Sequence, residues 1–168
     1  MQINTIWDNF FTKNNSESIL DFLKSIDLFS DLKIIEIKRL ERTLHKRVYK
    51  KGEVVFNEGD AGAALYIIRS GEVDIVINNA SSNPIVLTKL SSGMFFGEIA
   101  LFDEIPRSAT VIASKECEII ALSKPDFILF SKKEPSIGMK ISMRLGKILS
   151  ARLIATNKQI EELKSKND

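Results

Sequence analysis

Between Lys46 and Leu122 the apolar residues come in short alternating runs punctuated by Gly52, Gly59, Gly62, Gly71 and Gly93, a pattern that rules out long helices there. Val73, Ile75 and Ile77 alternate with Asp74 and Asn78, which predicts a strand with one buried and one largely wet face. Ser70-Gly71 and residues 78–83 are the expected hairpin turns. Short strands at this spacing predict an antiparallel jelly-roll barrel over about 46–122.

Helical periodicity flanks the barrel on both sides. Ser16 is the expected cap of a first helix that carries Ile19, Leu20, Leu23 and Ile26 inward. A second runs from Asp31 through Leu44, with Leu32, Ile35, Leu40 and Leu44 inward. After Ser123-Lys124-Pro125-Asp126 a helix starts, breaks near Glu134-Pro135 and resumes with a stripe of Ile137, Ile141, Leu145, Ile148, Leu149 and Leu153. The fold class is therefore mainly β with helical flanks. At 168 residues, 44% hydrophobic, the chain suffices for one core and not for two ordinary domains.

Composition removes several kinds of chemistry. One histidine, His45, and one cysteine, Cys117, cannot build the ligand clusters of a zinc, iron–sulfur or cupin-type metal centre, and no nucleophile and base stand out. An enzyme is not expected, nor a cofactor. Cys117 excludes an internal disulfide and suits a reducing, cytoplasmic setting. No basic head and apolar run mark the N-terminus as a signal peptide, and no apolar run is long enough to cross a bilayer.

The richest stretch is Gly97 to Thr110, G-E-I-A-L-F-D-E-I-P-R-S-A-T. Glu98 can accept from a sugar hydroxyl, and the Arg107 fork matches phosphate oxygens two at a time. Gly97 permits close backbone approach, and a helical turn over Ile99 to Phe102 would aim unpaired amides at an anion. The parts fit a cyclic nucleotide. A plain ion pair between Glu98 and Arg107 is the competing reading.

With its upstream neighbours this stretch, F-F-G-E-I-A-L-F-D-E-I-P-R-S-A-T-V, resembles the phosphate-binding cassette of cyclic-nucleotide-binding domains, the family of protein kinase regulatory subunits, catabolite activator proteins and nucleotide-gated channels. The entry segment D-L-F-S-D-L from Asp27, K-K-G-E-V-V-F-N-E-G-D from Lys50 and L-Y-I-I-R-S-G-E-V-D-I-V from Leu65 extend the likeness. Residues 27–163 form the expected nucleotide-binding domain, with C-terminal helices over about 124–163. Residues 1–26 are a helical extension and 164–168 a polar tail.

The resemblance implies roles for particular residues. Glu98 and the Gly97 backbone hold the ribose 2′-hydroxyl, Arg107 neutralises the phosphate, and the amides of Ile99 and Ala100 with Ser108 complete the cradle. Thr156 and Asn157 resemble a base-contacting pair, one helical turn late. Ser108 leaves cAMP or cGMP open, with cAMP favoured. The chain stops too soon after Leu163 for a helix-turn-helix, so no DNA-binding module is expected. Bacterial relatives dimerise through the equivalent last helix, which makes a homodimer the expected assembly; its downstream protein partner is unknown. The alternative is a ligand-independent interaction module acting through its N-terminal helices or the basic face of Lys132, Lys133, Lys140, Arg144, Lys147, Arg152 and Lys158.

Overall fold

The computed structural model describes residues 18–78 and 83–165. Helix α1 (Ile19–Ser25) starts at Ser18, whose hydroxyl accepts the Asp21 amide at 3.1 Å. The expected cap, Ser16, lies outside the described residues. A 3₁₀ turn (Asp27–Phe29) leads to α2 (Ile34–Glu41), where the Glu36 carboxylate reaches back to the Lys33 amide at 2.7 Å. This helix is shorter than the periodicity predicts, and its phase differs. Ile37 and Leu40 are buried while Ile35 is 54% exposed, because Leu32 enters the core from the preceding turn and the helix starts only afterwards.

Among the described residues eight strands follow: β1 (His45–Tyr49), β2 (Val54–Phe56), β3 (Ala64–Ser70), β4 (Glu72–Ile77), β5 (Ile85–Ser91), β6 (Phe95–Phe96), β7 (Thr110–Ala113) and β8 (Cys117–Ser123). They form two antiparallel four-stranded sheets, ordered β1-β8-β3-β6 and β2-β7-β4-β5, which is the expected jelly roll. Gly71 makes the β3–β4 turn at φ +90°, and a Cβ there would meet the Glu116 carbonyl at 2.1 Å. The alternation along β4 holds only in part. Val73 is buried as predicted, but so is Val76 on the opposite face, where the Glu58 segment crosses and its amide donates to Thr110 on the neighbouring strand. Cys117 is buried at the start of β8, and burial raises the pKa of its thiol.

Helix α3 (Lys124–Lys133) is capped by Ser123, whose hydroxyl accepts the Asp126 amide at 3.1 Å, and His45 meets the Asp126 carboxylate at 2.9 Å. Glu134-Pro135 then breaks the chain into α4 (Pro135–Lys164). The two helices cross closely at Gly138, where a Cβ would lie 2.5 Å from the Ser131 hydroxyl.

Ile137, Ile141 and Leu145 join one core with Phe22, Leu23, Leu28, Phe29, Ile37 and Leu40 from the N-terminal helices and Phe127 and Phe130 from α3. Ile148 and Leu149 pack against its margin. Leu153 does not belong to it: the expected stripe ends earlier, and Leu153 is 61% exposed. Three ion pairs hold this half of α4 to its neighbours, Lys140 to Glu36 at 2.7 Å, Arg39 to Glu134 at 2.9 Å, and Arg144 to Asp27. From Ala151 onward every residue of the helix is exposed.

Candidate functional site

A cavity of about 800 Å³ opens between the β2-β7-β4-β5 sheet, the Gly97–Ala109 segment and α4. Ile75 and Leu90 supply its apolar wall, and Ile148, Arg152, Ala155, Thr156 and Gln159 face it from the helix. This explains why Ile75 is less covered than its place in the strand suggests. It packs against the barrel core and also faces the cavity.

Arg107 is 8% exposed, an unusual position for a guanidinium. Its backbone is fixed by mutual hydrogen bonds with the Gly59-Asp60 turn, each 2.8 Å. The side chain lies over the Phe56 ring, 4.1 Å from its centroid, and near Tyr66 at 5.5 Å. Two of its nitrogens donate to carbonyl oxygens, those of Gly97 at 3.2 Å and Ala64 at 3.0 Å. Its Nε is buried without a partner. Burial lowers the pKa of this guanidinium from its usual value, opposed by Tyr66, Asp60 and Glu98. The group stays charged, since arginine does not deprotonate in proteins, and its hydrogen-bonding neighbours are carbonyls and not carboxylates. Such a cation, with no carboxylate hydrogen-bonded to it, has charge left to offer an anion.

Gly97 sits at φ +72°, and a Cβ on it would fall 2.7 Å from the Arg107 guanidinium and 3.1 Å from the Ala64 carbonyl. Glycine is thus required by conformation and by space. It opens a 3₁₀ turn (Glu98–Leu101), one residue ahead of the Ile99–Phe102 turn considered from the sequence. Within that turn the Ala100 amide already donates to the Gly97 carbonyl at 3.3 Å, a long bond. Gly62 lets the turn approach: a Cβ there would meet the Ala100 methyl at 3.0 Å.

Glu98 is buried and does not pair with Arg107. Its Oε1 accepts from Arg152 Nη1 at 2.7 Å across 54 residues of sequence, and the Arg152 guanidinium lies 4.7 Å from the Phe95 ring centroid. Gly97, Glu98, Ile99, Ala100, Arg107 and Ser108 all line the one cavity, and Thr156 joins them from α4. Asn157 is not part of that wall, because it falls on the next face of the helix.

Sequence reasoning named Arg152 only within the basic face of the last helix and not as a site residue, and it missed the aromatic bed of Phe56, Tyr66 and Phe95. A signal for Arg152 exists. The inward positions Ile137, Ile141, Leu145 and Ile148 continue at the same spacing to 152, so a charge there interrupts an apolar stripe.

The sequence model of the cyclic nucleotide-binding domain matches residues 46–134, and the chain belongs to that family. It is 37% identical over 106 residues to a cAMP-dependent protein kinase regulatory subunit of Yarrowia lipolytica, covering 63% of this chain and 28% of the relative. It is 30% identical over 127 residues to the cyclic AMP receptor protein of Thermus thermophilus, covering 76% and 59%. The crystal structure of a cyclic nucleotide-binding domain from Methylobacillus flagellatus superposes with a TM-score of 0.73 at 27% identity, over 91% of this chain and 83% of the other. The chain thus spans between about a quarter and three fifths of the length of these two relatives. Their names describe regulators, a kinase's regulatory subunit and a receptor, and not catalysts.

Among the described residues no cluster of His, Cys, Asp and Glu could hold a metal ion, and no helix is long and apolar enough to cross a membrane.

Proposed function

We propose that the chain is a regulatory module that binds cAMP in preference to cGMP and transmits occupancy through α4. The observation that carries this reading is the buried Arg107 guanidinium in the cavity wall, held by two carbonyls and an aromatic bed. A cyclic phosphate would neutralise it, with the Ile99 and Ala100 amides and the Ser108 hydroxyl completing the cradle. For Ala100 this requires giving up its long bond to Gly97. The ribose 2′-hydroxyl donates to Glu98, and the base lies between the barrel wall and Thr156. Asn157 would reach the base only after the helix turns.

Binding would then tighten the Glu98–Leu101 turn and shift α3, with its buried Phe127 and Phe130, against the core. The exposed end of α4 folds over the base, a population shift between two helix positions. Preference for cAMP draws support from the names of the two relatives. A cytoplasmic setting draws support from the single buried thiol.

A homodimer through α4 belongs to the same reading, by a different face from the one the sequence suggests. Ile137, Ile141 and Leu145 are used by the chain's own core, whereas Met139, Met143, Leu153 and Ile160 are exposed and recur at heptad-like spacing on the far side. Calorimetric titration with cAMP and cGMP tests the whole reading. Arg107→Ala should lower affinity by about a hundredfold or more and Glu98→Ala by distinctly less, because only the first strands a phosphate charge in a partly dry pocket. Negligible and equal losses would defeat the site assignment.

A further inference from the structure

The barrel has a second cavity, of about 620 Å³, that shares no lining residue with the first among the described residues. His45, Arg47 and Tyr49 alternate along β1 onto one face of its sheet, and the strand register carries that face from His45 across Ala121 of β8 to Tyr66 of β3. The middle of the face is small: Ala64, Ala121 and Ser123. These residues leave a hollow between the β1 side chains and the Tyr66 ring, bounded on the other sheet by Glu53 and Val54 where β2 begins. Tyr66 lies against Phe56, with ring centroids 5.6 Å apart, and Phe56 lines the first cavity, so these two rings stand between the two spaces.

Among the described residues three ionisable side chains of His, Arg and Glu line this hollow, and one is already matched: His45 meets the Asp126 carboxylate at 2.9 Å. Arg47 has no hydrogen-bond or ion-pair partner among the described residues, although Glu53 lines the same space. The Glu53 carboxylate is turned instead to the Lys50 amide, which donates to its Oε2 at 2.8 Å, and Oε1 keeps its lone pairs. Both charges act on Tyr49, whose hydroxyl pKa is raised first by burial and next by Tyr66, then lowered by Arg47 and raised by Glu53. A cation and a carboxylate thus face one hollow without meeting each other. We propose that this cavity binds a small zwitterion with an apolar side chain, a free α-amino acid. Its carboxylate meets the Arg47 fork, its ammonium meets Glu53, and its side chain lies on Tyr49 and Tyr66. A simple anion would bring a like charge to Glu53 and a simple cation would bring one to Arg47, whereas a ligand carrying both charges matches each.

Binding is followed on the full chain by calorimetry and by amide chemical shifts, with L-phenylalanine, N-acetyl-L-phenylalanine and L-phenylalaninamide as probes. Phenylalanine should bind saturably and shift the amides of residues 45–49, 53–54, 63–66 and 121–123. Each blocked derivative should bind about tenfold more weakly, the loss of one charge-assisted contact. R47A should bind phenylalanine and its amide alike, and E53Q should bind phenylalanine and its N-acetyl form alike, because each variant lacks the group that tells the two probes apart. E53Q keeps an acceptor for the Lys50 amide, so the turn it caps is retained. The comparison of the three probes on the parent chain needs no variant at all. No saturable shift up to about 10 mM phenylalanine, shifts confined to residues 97–109 of the first cavity, or blocked derivatives that bind as tightly as phenylalanine would each overturn the inference.

Discussion

The two halves of α4 have the same helical geometry and opposite surroundings. Pro135 to Leu149 is tied into the core by Ile137, Ile141 and Leu145 and by three ion pairs, whereas Ala151 to Lys164 is exposed residue by residue and meets the barrel at Glu98 and Phe95. A helix segment without a buried apolar face gains little from tertiary packing, so a few contacts decide where it lies. In the proposed reading the anchored half would be the pivot and the exposed half the part that a ligand redirects.

The largest test of this contrast is a matched pair of truncations. Leu145→Ala should cost about 2–5 kcal/mol, the loss for a fully buried leucine, and lower the melting temperature accordingly. Leu153→Ala should change monomer stability by no more than about 0.5 kcal/mol. In sedimentation velocity, Leu153→Ala should instead weaken self-association. A strict monomer for the parent chain at high protein concentration, with and without cAMP, would remove the dimer proposal.

Two glycines of α4 sharpen the same boundary at smaller scale. Gly138 touches Ser131 so closely that an added methyl must push α3 and α4 apart, and Gly138→Ala should cost about 1–3 kcal/mol by overpacking. Nothing lies within 4 Å of a Cβ at Gly146, so Gly146→Ala should stabilise the helix by about 0.5–1 kcal/mol. Denaturant unfolding of both variants would show it. Equal signs would mean that the core contact at Gly138 is not what limits that site.

The smallest effect concerns the ion pairs that anchor the first half. The Lys140 hydrogen bond, then the Lys33 amide, hold the Glu36 carboxyl below its ordinary value of 4.5. A depressed folded pKa means a contribution present above the unfolded value and lost as pH falls through the folded one. The stability gap between the parent chain and Glu36→Gln should therefore be widest near neutral pH and close as the solution is taken below about 4.5, by well under about 1 kcal/mol in all. A gap that stays constant across that window would show that the pair contributes nothing.

Much of the barrel and part of the site were legible because they depend on neighbours in the chain. Alternating apolar runs and the Gly71 turn obey local rules of strand period and φ. Gly97, Glu98 and Arg107 stood out through residue type and spacing within one loop, and the structure brings all three into one cavity wall. The phase of α2 was not legible, because Leu32 buries itself from a turn and delays the helix, so that Ile37 and not Ile35 faces inward.

The amino-acid sequence by itself determined the elements, their order and the chemistry of the Gly97–Thr110 loop, since these follow from backbone preference and side-chain type over short separations. Only the tertiary structure decided that Glu98 pairs with Arg152 and not with Arg107, that Arg107 rests on Phe56, and that Thr156 faces the cavity while Asn157 does not. Each of those depends on where a long helix or a distant strand comes to lie across the barrel. That placement is set by the packing of Leu145, Ile141 and their partners as a whole, which no short window of sequence contains.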